Sequence, residues 1–129
     1  MAERQRIFSA IPLEGRYGYC RAVVVGDRVI VSGTAPAWED GSCDPDPGVQ
    51  ARRCFEIIET ALAEAGSSLA DVVRTRMFVT DASYEEAVGT AHAEAVGENP
   101  PATAMVVVAG LLDKRWKVEI EAEAVKAST

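Results

Sequence analysis

The sequence predicts an α+β two-layer sandwich, with one mixed or antiparallel sheet and two helices on one face of that sheet. Three observations lead to this fold class. Two runs of β-branched residues flank a glycine-containing turn, two segments show helical periodicity, and further strand-like runs lie between and after the helices. The strand-like segments are 19–25, 28–32, 71–79, 103–109 and 117–124, and the helical ones are 49–65 and the residues that follow Asp81.

The first two strands are predicted to form a tight hairpin. They are connected by Gly26-Asp27, and glycine tolerates the positive φ angle that two-residue hairpin turns require. A short strand near residues 6–8 would extend the same sheet.

The first helix is predicted over residues 49–65 because its apolar residues recur at steps of three and four, which places them on one face. Gly66 then follows at the position of a helix C-cap. The apolar residues of this face are Phe55, Ile58, Leu62 and Ala65.

The second helix is predicted to begin after Asp81, with Ser83 and Glu86 forming a capping box. Pro100 and Pro101 lie beyond its end, because proline lacks the N–H group and disfavours helical backbone at the preceding residue. His92 lies one residue from the apolar stripe of this helix, which indicates a partly buried structural histidine.

One layer of two helices cannot cover both faces of the predicted sheet. The segment 104–108 is apolar at every position, so both faces of this strand need cover. We therefore expect the chain to associate with copies of itself through the open face of its sheet.

The chain has 129 residues and a mass of 13.8 kDa, which predicts a single domain over residues 1–129. It carries 13 basic and 20 acidic residues, and the net charge of −7 disfavours nucleic acid as a partner.

No apolar run reaches the ~18 residues of a transmembrane helix. The charged N-terminus does not resemble a signal peptide, so we expect a cytoplasmic protein with no membrane partner.

Metal and disulfide sites are not predicted. The three cysteines form no CxxC pair, and one histidine leaves a Cys/His zinc site incomplete. The simplest interpretation is three reduced thiols, with Cys20 buried by packing.

Six segments, taken in their order and spacing, resemble the Rid family, also called YjgF or reactive-intermediate deaminases and, in older descriptions, endoribonuclease L-PSP. The resemblance covers about residues 17–125. The segments are GYCRA at 18–22 with Gly26, VIVSG at 29–33, AG at 65–66 with DVV at 71–73, FVTD at 78–81, PAT at 101–103 and VEIEA at 118–122.

The resemblance implies a chorismate-mutase-like fold and a homotrimer with ligand clefts between its subunits. It also implies hydrolysis of enamines and imines to a 2-keto acid and ammonia, with neither cofactor nor metal. Glu119 matches the glutamate that positions the reacting water. The matching ligand-binding positions are Tyr19, Ser32, Gly33, Thr103 and Met105.

Thr103 is the main departure from the family pattern. In the deaminases of the family an arginine follows the Pro-Ala pair and binds the substrate's carboxylate, whereas here Thr103 follows Pro101-Ala102. Threonine is neutral and too short to form a charged, bidentate fork. The sequence is therefore identified as a member of a branch that lacks the deaminase arginine, for which efficient deamination of imino acids is not expected.

Two interpretations of Arg21 are open. Arg21 shares strand parity with Tyr19, so it could supply the missing guanidinium, but a surface arginine on a short strand is the simpler interpretation. Trp38 either covers the cleft or packs locally, and the sequence does not decide between the two. Arg74 and Arg76 are interpreted as partners of the strand glutamates.

The leading hypothesis is a Rid-like homotrimer that binds a small metabolite in its clefts and, if catalytic, hydrolyses a C=N or related bond. The first alternative is a non-catalytic binding or regulatory module that uses the same clefts. A genuine imine deaminase with another arginine is a further alternative. A ribonuclease is the least favoured, because RNA cleavage usually recruits cationic groups near the phosphate.

Overall fold

The computed structural model describes residues 3–9 and 11–127 of the chain. Its main element is a six-stranded mixed sheet. Its strands are β1 (Arg4–Ile7), β2 (Ala22–Val25), β3 (Arg28–Thr34), β4 (Val72–Val79), β5 (Ala102–Val107) and β6 (Val118–Val125). They lie in the order β1-β2-β3-β6-β4-β5. The β4–β5 pair is parallel and the other neighbouring pairs are antiparallel.

Three helices accompany the sheet: α1 (Pro12–Tyr17), α2 (Pro47–Glu64) and α3 (Glu85–Val96). The long helix α2 contacts α3, β3 and β6, and the apolar core lies between these helices and the sheet. The predicted α+β class is confirmed, and so is the additional strand at the start of the chain. Among the described residues, no helix combines the length and apolarity that crossing a membrane requires.

Local sequence explains how α2 begins and ends. The Asp46 side chain accepts hydrogen bonds from the backbone N–H groups of Gly48 and Val49, and Pro47 occupies the first turn. At the other end, Gly66 has a φ of 79°, and the Ser67 N–H donates to the Leu62 carbonyl at 2.8 Å. These are the features of a Schellman motif, so Gly66 ends the helix as predicted.

Helix α1 was not predicted, and it shortens the first predicted strand. The strand was expected to begin at Tyr19, but β2 begins at Ala22. The reason is Gly18, whose φ of 77° caps α1, and the Glu14 carbonyl, which accepts from the N–H groups of both Gly18 and Tyr19. Residues 19–21 therefore lie outside the regular strand, and strand parity does not relate Tyr19 to Arg21.

The predicted capping box at Ser83 and Glu86 is wrong. The Asp81 side chain accepts from the Ser83 N–H at 2.8 Å, and residues Ala82–Tyr84 form a 3₁₀ turn. α3 then begins at Glu85. Asp81, which directly precedes the turn, acts as its cap, so Ser83 becomes part of the turn and does not cap the helix.

Strand β6 shows how the sheet separates its two faces. Its apolar residues at even positions are buried, while its three glutamates are partly exposed on the other face. On that open face the guanidinium of Arg76 lies 3.4 Å from the Glu121 carboxylate, as predicted, and that of Arg28 lies 3.5 Å from Glu123. The open face is therefore polar near its centre, with exposed apolar residues beside it.

Gln50 of α2 connects two loops through a fully buried side chain. Its Nε2 donates to the carbonyls of Asp44 at 2.7 Å and Arg115 at 2.9 Å. Its Oε1 accepts from the Lys117 N–H at 2.7 Å. One side chain thus satisfies three backbone groups that have to be paired when they are removed from water.

We predict that Gln50→Leu lowers the free energy of unfolding by about 2–4 kcal/mol, because it leaves two carbonyls and one N–H without their partner. Urea denaturation measures the change. The matched control is Gln5→Leu in the exposed strand β1, for which a change within about 0.5 kcal/mol is expected. Equal effects of the two substitutions would contradict the role assigned to Gln50.

Candidate functional site

The candidate site is built around Gly33, near the end of β3. The pairing of β3 with β6 is irregular between Val31 and Thr34, and this irregularity brings Gly33 against Glu119. A Cβ atom on Gly33 would lie 2.6 Å from the Glu119 Oε2 atom. The Glu119 carboxylate therefore packs directly on the backbone of Gly33, and glycine is the residue type that leaves room for it.

Burial raises the pKa of Glu119 above the usual value for a glutamate. The nearby positive charge of Arg21 opposes this effect, and the negative charge of Glu121 adds to it. A half-buried carboxylate with a raised pKa is a better proton acceptor than an ordinary glutamate, which suits it to accept a proton from water.

Arg21 is buried, with only 5% of its surface exposed, so the interpretation as a surface arginine is wrong. Its Nη2 donates to the Gly33 carbonyl at 2.6 Å, whereas its Nε is buried without a hydrogen-bond partner among the described residues. The ion pairs within 4.0 Å in the described part of the chain do not involve Arg21. The fold thus holds a guanidinium beside Glu119 with unused donor capacity.

Two other predicted residues lie near this cluster. The Ser32 Oγ donates to the Cys20 carbonyl at 2.7 Å, so its hydroxyl proton is already committed within the chain. Tyr19 precedes β2 and is partly exposed. The structure therefore brings Ser32 and Gly33 together with Glu119 and Arg21, and it leaves Tyr19 at the surface.

Thr103 and Met105 lie elsewhere in the same chain. Both belong to β5, and the strand order places β6 and β4 between β5 and β3. Three strand spacings of ~4.8 Å put Thr103 roughly 14 Å from β3. One chain therefore does not bring the predicted ligand-binding residues into one cleft, and a second copy would be needed to complete it.

The Thr103 hydroxyl is part of a short chain of hydrogen bonds. Its Oγ1 lies 2.7 Å from the Oγ1 of Thr75, which in turn lies 2.7 Å from the Nε2 of His92. His92 packs edge-on against Phe55, and burial lowers its pKa. The hydroxyl of the exposed Thr103 is thus linked through Thr75 to a partly buried histidine, and a structural role is the one expected for His92.

A cavity of about 600 Å³ lies on the helix side of Arg21, between α2 and the N-terminal segment. Trp38 lies in its wall, where the guanidinium of Arg53 is 5.9 Å from the centre of the Trp38 ring and donates to the Ala37 carbonyl. Trp38 therefore packs locally on α2. Neither the position of Arg53 nor this cavity was predicted, because the adjacent Arg52-Arg53 pair belongs to no motif and no periodic pattern in the sequence.

The three cysteines and the acidic residues form no further centre among the described residues. No group of three or more His, Cys, Asp or Glu side chains there is placed to hold a metal ion. Cys20 and Cys54 are buried thiols, and burial raises the pKa of Cys54, which keeps it protonated.

Comparison with known proteins finds similar chains over nearly the whole length. The family model described as Endoribonuclease L-PSP matches residues 10–126. An uncharacterized protein of Streptomyces coelicolor is 37% identical over 125 residues, covering 96% of this chain and 93% of its own length. A 2-iminobutanoate/2-iminopropanoate deaminase of Salmonella typhimurium is 34% identical over 112 residues, covering 84% and 87%.

A solved structure agrees with these sequences. The crystal structure of a member of the YjgF/YER057c/UK114 family from Mycobacterium tuberculosis is 42% identical and superposes with a TM-score of 0.88. The match covers 95% of this chain and 99% of that one. Sequence and fold therefore point to the same group of proteins.

We predict that His92, the only histidine of the chain, titrates with a midpoint below its ordinary pKa of 6.5. Because the folded state then binds this proton less readily than the unfolded state, His92 lowers stability as the pH falls below 6.5. A ¹H–¹³C NMR titration follows the imidazole directly. The midpoint should return to the ordinary value in concentrated urea, and an unshifted midpoint in the folded protein would contradict the burial.

Proposed function

This chain belongs to the Rid/YjgF family, and we propose that it hydrolyses a C=N bond in a small metabolite without a cofactor, with Glu119 positioning the attacking water. The observation that carries the proposal is the half-buried Glu119 carboxylate, held against Gly33 with a raised pKa. The Salmonella relative is named as a deaminase of 2-iminobutanoate and 2-iminopropanoate, which supports C=N chemistry for this fold.

The reaction needs few groups. Water adds to the imine carbon while Glu119 accepts a proton from it. Glu119 returns that proton to the nitrogen, which gives a carbinolamine. The C–N bond then breaks as the hydroxyl proton of the carbinolamine passes to the nitrogen, so ammonia leaves and a carbonyl compound remains. A carboxylate beside the glycine, within reach of a bound imine, is sufficient to position this water.

Thr103 limits which substrates are expected. Its hydroxyl is engaged with Thr75, and it offers no positive charge to a substrate carboxylate. Loss of a charged partner for a carboxylate costs ~2–5 kcal/mol, which corresponds to about one and a half to four powers of ten in affinity. Small imino acids should therefore react much more slowly than in relatives that carry an arginine at this position.

A non-catalytic binding module is the second candidate. The observation that favours it is that Ser32 and Thr103, two of the three hydroxyl-bearing residues of the predicted cleft, both make hydrogen bonds within the chain. Stabilisation by a ligand without turnover would support this candidate. The net charge of −7 makes a ribonuclease the least favoured function, whatever the older family description says.

The proposal includes a homotrimer in the cytoplasm. It is supported by the separation of Thr103 and Met105 on β5 from Ser32 and Gly33 on β3 within one chain, since a neighbouring copy would supply the missing half of each cleft. The open face also exposes Ile30 by 42% and Val106 by 46%. Burying such residues between copies would remove apolar area from water. The free thiols suit a reducing compartment.

We predict that Glu119→Gln lowers kcat/KM by about 10²–10⁴-fold, the contribution typical of a positioned general base. The assay measures ammonia and keto acid released from freshly generated 2-iminopropanoate, against a control without enzyme. In the parent protein, kcat/KM should rise with pH through the raised pKa of Glu119. Because Thr103 already predicts slow turnover of this imino acid, the decisive result is measurable parent activity whose kcat/KM is unaffected in Glu119→Gln, which would overturn the proposed role.

Gly33→Ala provides an independent variant for the same prediction. The new Cβ would displace the end of the flexible Glu119 side chain, so hydrolysis should fall while the protein still folds. Gly89→Ala is the matched control, because a Cβ at this position in α3 meets open space. Alanine favours a helix interior over glycine, so this variant should keep its activity.

We predict that light scattering gives a mass three times the 13.8 kDa of the chain. Val106→Asp on the open face should reduce this mass, because a carboxylate would be buried at the contact. Leu112→Asp is the control, since Leu112 is 89% exposed in the turn after β5. A monomeric parent protein would contradict the trimer.

A further inference from the structure

The cavity beside α2 has the size of a small-molecule site. Its volume of about 600 Å³ falls within the range of roughly 300–1,000 Å³ that ligand pockets occupy. One wall comes from α2, and the other comes from the end of β1 and the start of α1. The lining includes Ile7, Arg21, Trp38, Arg53, Ile57 and Thr60.

Arg21 is the polar group at the buried end of this cavity. It is more than nine-tenths buried, its Nε has no hydrogen-bond partner among the described residues, and its Nη2 is held by the Gly33 carbonyl. A buried guanidinium without an ion pair carries a large desolvation cost, which a bound anion would offset. The planar donor fork of arginine matches a carboxylate in particular.

The other lining residues indicate which kind of anion the cavity would bind. Ile7 is buried and Ile57 half-buried, and Trp38 adds an aromatic surface. Arg53 already donates a hydrogen bond to the Ala37 carbonyl, and its guanidinium lies near the Trp38 ring. The exposed carboxylates of Glu39 and Glu64 at the rim would repel a second negative charge on the ligand. The cavity therefore suits one buried negative charge followed by an apolar body.

We propose that this cavity binds a monocarboxylate with an apolar tail, with the carboxylate on Arg21 and the tail along Ile7, Ile57 and Trp38. The site goes beyond the proposed hydrolysis, because Glu119 does not line the cavity and binding there requires no turnover. The Gly33 peptide connects the two sites, since its carbonyl holds Arg21 and its Cα faces Glu119.

Calorimetry on the purified full chain tests the proposal with hexanoate as the probe. Hexanoate should bind saturably, and both hexanamide, which lacks the charge, and acetate, which lacks the tail, should bind at least tenfold more weakly. Arg21→Gln should weaken hexanoate at least tenfold. Arg76→Gln, which changes an exposed arginine of the open face, is the matched control and should leave the affinity unchanged.

A second variant decides the question if Arg21→Gln does not fold. Thr60 is exposed on α2 and lines the cavity, so Thr60→Trp should fill the cavity without disturbing the core and should weaken hexanoate at least tenfold. Glu119→Gln, which removes the proposed hydrolysis, should not weaken hexanoate, so the two proposals can fail separately. The site would be refuted by equal binding of hexanoate and hexanamide, or by unchanged affinity in Arg21→Gln or Thr60→Trp.

Discussion

The backbone of Gly33 contacts both charged groups of the candidate site, the Glu119 carboxylate and the Arg21 guanidinium, which do not form an ion pair with each other. Its Cα leaves the space that the Glu119 carboxylate occupies, and its carbonyl accepts a hydrogen bond from Arg21. Any larger side chain would remove that space, and any change in the β3–β6 register would move the carbonyl. The electrostatics of the site therefore depend on one residue that has no side chain of its own.

Although Thr103 offers no positive charge, the candidate site holds one, because Arg21 lies beside Glu119. The guanidinium approaches from the segment before β2 and not from β5, where Thr103 is tied to Thr75 and His92. Burial raises the pKa of Glu119 and the positive charge of Arg21 lowers it, so the proton affinity of Glu119 depends on the balance between these two effects. A ligand that changed the charge at Arg21 would shift that balance.

The sequence was sufficient to predict the elements that follow from local chemistry. The hairpin at Gly26, the apolar face of α2 and the Schellman cap at Gly66 depend on residues close together in the chain. Helix α1, the Asp81 cap and the burial of Arg21 were not predicted. Arg21 lines a cavity together with the loop after β3 and the helix α2, and such proximity between distant segments leaves no periodic signal in the sequence.

Strand β6 comes after the five other described strands in the chain, yet it lies between β3 and β4 in the middle of the sheet. During synthesis the hairpin half, β1 to β3, and the parallel half, β4 and β5, have no shared neighbour until this strand leaves the ribosome. Both halves then expose unpaired edges, which are templates for aggregation. Glu119 lies on that same strand, so the carboxylate that we propose positions water reaches its place only when the sheet is completed.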